Sequence, residues 1–167
     1  MPNLIRWCGD QAVAVEDVFT TVDDDQTLPP GEVIVSLGRF RAEGDYLLGQ
    51  DRRLGVRLQP DEAPETLANE LPALCVVALA FPKFRDGRPF SAARVLRERL
   101  GYQGQVRAVG DVLLEQAKFM IRCGFDAFEP ADGTTPDQWT HAAHRFRHVY
   151  QRAADERRPA FVERGMA

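Results

Sequence analysis

Three cations fall close together in the segment Phe81-Pro82-Lys83-Phe84-Arg85-Asp86-Gly87-Arg88. Lys83, Arg85 and Arg88 sit in a loop leading into a helix that starts near Ser91. In that position they would hold an oxyanion, because free helix N–H groups and the helix dipole add to the side-chain charges. Asp86, in the same loop, and Asp111 offer carboxyls for acid or base work on such a ligand. The sequence Asp86-Gly87 equally reads as a turn whose arginines pair with neighbouring acids. Asp111 follows the strand-like Val-Arg-Ala-Val-Gly, so it stands at a strand end and also at a helix N-cap. Gln116 falls inside the apolar arc of the helix expected over Asp111–Cys123. A buried amide needs partners, so Gln116 ties a strand end or a helix neighbour, or it reaches toward a ligand.

Other residue types with chemical potential point elsewhere. His141, His144 and His148 recur at i, i+3 and i+7, a stripe that in principle presents nitrogens to a metal. That stripe lies almost opposite the apolar positions Trp139, Ala142, Ala143, Phe146, Val149 and Tyr150, with no cysteine beside it and no carboxylate behind it. It reads as a solvated or partner-facing surface, and no metal site is expected. Cys8, Cys75 and Cys123 are far apart, without a Cys-x-x-Cys pair or a set of four. Cys75 opens an apolar run and Cys123 closes a helix on its buried side, so both read as core thiols. Glycine-rich dinucleotide or phosphate loops and a Gly-x-Ser-x-Gly elbow are absent. No cofactor is expected on these grounds.

These residues have to be positioned by short β-branched runs that alternate with segments of helical period. Strands are expected at Val33–Leu37, Gly55–Leu58, Cys75–Phe81, Val106–Val109 and Phe125–Phe128. Helical segments follow at Arg39–Arg52, Asp61–Leu71, Ser91–Leu100, Asp111–Cys123 and Thr135–Ala153. About five βα units give an α/β fold with a mainly parallel sheet and right-handed crossovers, open or curled like part of a barrel. A hairpin, Leu4–Trp7 and Ala12–Val15 around a Gly-Asp turn, precedes it. The expected organisation is hairpin and acidic linker over 1–30, α/β domain over 31–153 and a tail over 154–167. In such sheets ligands gather where strands end and βα loops begin, which here collects Arg39, Lys83, Arg85, Asp86, Arg88, Asp111 and Glu129. Five units leave strand edges uncovered, and a homodimer covering one is expected.

The net charge of -4 over 167 residues argues against a general nucleic-acid binder, and no apolar run approaches bilayer length. A soluble cytoplasmic chain without membrane attachment is expected from this and from the sparse cysteines. The charge is uneven. Residues 1–32 hold seven acids against Arg6, while residues 83–107 hold seven bases against Asp86 and Glu98. The acidic arm and basic segment either solvate separate surfaces, pair within the molecule, or mark an anion or partner site.

The run Phe81–Arg88, then Ser91-Ala-Ala-Arg-Val-Leu-Arg-Glu-Arg-Leu-Gly-Tyr102, Arg107-Ala-Val-Gly-Asp-Val112, Gln116 and Arg122-Cys-Gly-Phe-Asp-Ala-Phe128 resembles a bacterial family of unknown function. That family is described as an oxidoreductase associated with assimilatory sulfite reduction, its genes lying beside that for the sulfite reductase haemoprotein. The resemblance covers roughly residues 30–151, with Gln105 standing where the family pattern carries a glutamate. It implies a pathway, sulfur assimilation, with sulfite reductase components as partners. Two functions are therefore expected as alternatives. One is an accessory protein of sulfite reduction docking through the basic segment. The other is a small-anion-binding enzyme or module in which Lys83, Arg85, Arg88 and Gln116 bind and Asp86 or Asp111 acts as acid or base.

Overall fold

The computed structural model describes residues 4–155 and 157–165, so parts of the expected N-terminal segment and tail (1–3, Glu156, Met166, Ala167) lie outside the described residues. The strands are β1 (Leu4–Cys8), β2 (Gln11–Val15), β3 (Phe19–Thr21), β4 (Glu32–Ser36), β5 (Leu54–Leu58), β6 (Val76–Phe81), β7 (Gln105–Gly110) and β8 (Ala127–Phe128). They form one sheet in the order β2-β1-β8-β7-β6-β5-β4-β3. Strands β3 to β8 pair in parallel, whereas β1 runs antiparallel to both β2 and β8. The protein is therefore an α/β fold with a mostly parallel, curled half-barrel sheet and an N-terminal hairpin. The middle strand β6, Val-Val-Ala-Leu-Ala-Phe, is buried at every position, as a strand covered on both faces must be.

Helices α1 (Leu37–Leu48), α2 (Arg88–Arg94), α3 (Ala117–Cys123) and α4 (Pro136–His144) pack on one face of the sheet, and α5 (Ala160–Arg164) follows near the C-terminus. On that face Val33, Val35, Val56, Val77, Leu79, Phe81 and Val106 meet Phe40, Leu47, Phe90, Leu96, Met120 and Trp139 in the main core. Alternate strand residues point the other way, where Ile34, Val76 and Ala78 form a smaller cluster against Phe19, Cys75 and Val109.

The curvature follows from connectivity. Strands β2 and β3 are the two margins of the sheet, yet residues 16–18 alone join them. Four Cα steps span at most about 14 Å, so the sheet curls until its margins come within that distance. The connector consequently crosses the concave side, where Asp17 reaches Arg107 of β7 at 2.7 Å.

Several elements differ from the sequence expectation. Strand β3 was not expected; only three residues long, it offers no alternation to read. The helix expected over Asp61–Leu71 is two short 3-10 turns, Pro64–Leu67 and Leu71–Ala73, each with proline in its first turn. The helix expected over Thr135–Ala153 stops at His144. Beyond it, the carbonyls of Phe146, Arg147 and Gln151 accept from Lys118, Arg157 and Arg122, so cationic side chains take the place of helical N–H donors. His148 therefore leaves the expected stripe and pairs with Glu163 at 2.9 Å, while His144 meets Asp10. Phe146 and Tyr150, expected on the apolar face, are exposed.

Candidate functional site

The loop after β6 is held by two side chains that arrive from more than twenty-five residues downstream. Gly110 closes β7 with φ of +95°, and a Cβ there would stand 2.5 Å from the Phe81 carbonyl oxygen. That close approach lets the Asp111 N–H donate to the Phe81 carbonyl at 2.8 Å and aims the Asp111 carboxylate at the loop. Its Oδ2 accepts from the Phe84 N–H at 2.8 Å, and the Gln116 Nε2 donates to the Phe84 carbonyl at 2.7 Å. Both backbone groups of one residue are thus fixed. Asp111 is not the helix N-cap that its position suggested: a 3-10 turn begins at Leu114 behind a Leu113 cap position, and α3 begins at Ala117. Gln116 serves as the tie of a strand-end loop, one of its expected alternatives.

Asp86 and Arg88 turn toward each other. Asp86 Oδ1 accepts from the Arg88 backbone N–H at 3.1 Å and from its Nε at 3.0 Å, and Oδ2 accepts from the guanidinium at 2.7 Å. Hydrogen bonding from the Arg88 side chain holds the Asp86 carboxyl below its usual range, so it stays ionised at neutral pH. An acid of the chain itself therefore occupies the start of α2, where an oxyanion was expected. Lys83 and Arg85 are exposed and make no ion pair among the described residues, and between them Phe84 projects with 49% of its surface accessible. Arg39 lies apart, donating to the carbonyls of Asp23 and Gln26.

The rest of the basic segment is neutralised within the fold. Arg94 pairs with Glu98, Arg99 with Glu65, Arg97 with Asp126, and Arg107 with Asp17 and Glu129. The acidic arm reaches the sheet through Asp17 and through Asp23, which lies 3.8 Å from Arg57. Internal pairing is thus the fate of most of this charge.

A second constellation was not visible in the sequence. Strand register places Ser36, Arg57, Ala78, Arg107, Ala127 and Arg6 in one row across the concave face, so arginines alternate with alanines. The small alanines leave room for the guanidiniums, and Arg107 is only 1% exposed. Its charge is met at 2.7 and 3.0 Å by the two Asp17 oxygens and at 3.0 Å by Glu129. The Nε of Arg57, the Nε of Arg107 and the Nε2 of Gln105 are buried without an acceptor among the described residues. This face has donor capacity left over. The signal that could have found it is register, which links residues far apart in sequence.

Among the described residues no helix is long and apolar enough to cross a membrane, and no group of three or more His, Cys, Asp and Glu could hold a metal ion. No curated protein and no solved structure matches the chain. Residues 55–161 match a family model, a span from β5 into α5 that includes the clamped loop, Asp111, Gln116, Arg57 and Arg107. With most of its length so matched, the chain belongs to the family described as bacterial protein of unknown function (DUF934).

Proposed function

We propose that the protein is a cytoplasmic accessory component of assimilatory sulfite reduction, docking on a sulfite reductase component through the loop Lys83-Phe84-Arg85. The observation that carries this reading is the double clamp on Phe84, whose N–H and carbonyl are held by Asp111 and Gln116. A loop fixed in this way presents an apolar tip between two cations at little further ordering cost, which suits association with an acidic surface bearing an apolar recess. Asp111 and Gln116 are then positioning residues. The pathway comes from the resemblance of residues 81–128, whose phrases coincide with the clamped loop and the side chains that hold it.

Affinity purification of the tagged chain from its host tests the proposal. The wild-type chain is expected to recover a sulfite reductase component. Reversing both charges, Lys83→Glu with Arg85→Glu, should lower recovery about tenfold or more. Recovery of no such component, together with unchanged growth on sulfate after gene deletion, would sink the reading.

A second reading draws on Lys83 and Arg85, the cations of this loop without an ion pair among the described residues. Here they hold a small oxyanion at the strand ends, with Arg88 and Gln116 beside them and Asp86 or Asp111 as acid or base. Calorimetry with sulfite, sulfate and phosphate separates the two: oxyanion binding lost in Arg85→Ala favours this one, and the absence of binding removes it.

A further inference from the structure

A cavity of about 310 Å³ opens on the opposite side of the molecule from the concave face, between the turn of the hairpin, α3, α4 and the chain around Asp155. Its lining includes Trp7, Ile121, Ala143 and the His144 ring, which lies 5.8 Å from the Trp7 ring and is tilted 46° to it. The same lining carries Lys118, Arg122 and Arg157. We propose that this cavity binds a small organic phosphate with a planar ring, the ring against Trp7 and His144 and the phosphate among Lys118, Arg122 and Arg157. The proposal is independent of the docking loop.

Three features converge on it. Like charges are crowded: Lys118, Arg122 and Arg157 share the lining with Asp155, whose Oδ2 already accepts from the Arg122 Nε at 3.1 Å. Asp10, at the rim, is 93% exposed and engaged with His144. A neighbouring recess shares Lys118 and Arg122 and adds Arg145 and Arg147, which extends the positive region outward.

Donors also remain after internal bonding. Lys118 gives one N–H, at 2.6 Å, to the Phe146 carbonyl, and an ammonium carries three. Desolvation first, and then Arg157 and Arg122, push the Lys118 ammonium below its usual pKa. An entering dianion would relieve that repulsion, since opposite charge favours the protonated amine. The dimensions agree as well: ligand cavities begin at about 300 Å³, which admits a mononucleotide-sized molecule and excludes most larger cofactors.

Calorimetry and Trp fluorescence with adenosine monophosphate, adenosine and inorganic phosphate provide the test. Adenosine monophosphate should bind and quench Trp7, with the quench absent in Trp7→Phe because Trp139 is fully buried. Adenosine and inorganic phosphate should each bind about tenfold or more weakly, one lacking the charge and the other the ring. Lys118→Met should weaken the nucleotide about tenfold or more, the loss of a charged hydrogen bond. Far-UV circular dichroism checks its fold, and competition between phosphate and nucleotide on the wild-type chain supplies a measurement that needs no variant. No nucleotide binding up to about 1 mM, inorganic phosphate binding as tightly as the nucleotide, absence of competition, or unchanged affinity in folded Lys118→Met would each overturn the proposal.

Discussion

Arg97 and Arg107 are both drawn out of solvent beside the same sheet, yet they are held in different ways. Arg97 lies below the N-terminal edge. Its Nε donates to the Gly124 carbonyl at 2.9 Å, and one terminal nitrogen donates to Tyr102 at 2.6 Å and Gly104 at 2.8 Å. Its carboxylate partner, Asp126, is more distant at 3.5 Å. Gly124, with φ of +104°, makes the fit possible, since a Cβ there would stand 2.4 Å from the Arg97 Cγ. Arg107 has no carbonyl partners among the described residues and depends on two carboxylates, one of them ninety residues earlier in the chain. The difference teaches how one residue type serves two purposes. Carbonyls of nearby turns make Arg97 a rivet for local chain, whereas Asp17 makes Arg107 the point where the N-terminal connector is fastened across the concave face.

The contrast predicts an order of effects in chemical denaturation. Arg107→Ala should be the most damaging, about 3–5 kcal/mol, because it leaves Asp17 and Glu129 facing each other without their cation. Arg97→Ala should cost less, about 2–3 kcal/mol, since its carbonyl partners lie near the rim where solvent can replace it. The reverse order would break the comparison and make the N-terminal edge the principal fastening. Asp17→Asn keeps an acceptor but removes the charge, for an expected loss of about 1–2 kcal/mol. Proteolysis within residues 16–22 should quicken in that variant while cleavage near Arg97 stays unchanged.

The smallest effect concerns acid. Burial raises the Asp126 carboxyl above its ordinary 3.8, with Arg6 and Arg97 opposing the shift. As pH falls between its raised value and 3.8, the folded state takes up this proton before the unfolded chain does, so this one group adds stability on acidification. Wild-type protein should accordingly lose less stability across that interval than Asp126→Asn. Equal slopes would show that Asp126 is not the buried acid of the Arg97 network.

Much of this architecture was legible before any coordinates. The runs Val33–Leu37, Gly55–Leu58 and Cys75–Phe81 announce strands because β-branched and apolar residues dominate them, and each is a strand to within a residue. Asp86, Arg88 and Asp111 stand out by position at strand ends and Gln116 as an amide in an apolar arc; pairing of the loop arginines with a neighbouring acid is legible, whereas the hold of Asp111 and Gln116 on Phe84 is not. Asp111 looks like a cap because carboxylates cap helices; in the fold its oxygen is claimed by Phe84, twenty-seven residues upstream. The arginine row escaped notice for a physical reason. Arg6, Arg57 and Arg107 are unremarkable in their own segments, and they become neighbours through hydrogen-bond register between strands. Helix length beyond His144 misled in the opposite sense, because periodicity counts apolar residues without knowing which carbonyls cations will claim.

The hairpin has a consequence for how the chain reaches this structure. Strand β1 precedes the other described strands in the chain, but its neighbour β8 is formed by Ala127 and Phe128, and the bonds from Arg6 to Asp126 span 120 residues. At about 5–20 residues per second that late strand follows on the order of 6–24 s after the hairpin, which until then has no β8 to pair with. The parallel units from β4 onward can assemble in order as they appear. The hairpin must wait, solvent-exposed and with an unpaired edge, and then dock through β1 on β8 in a late step. Circular permutation that moves residues 4–22 behind β8 would shorten that wait and leave the finished contacts intact.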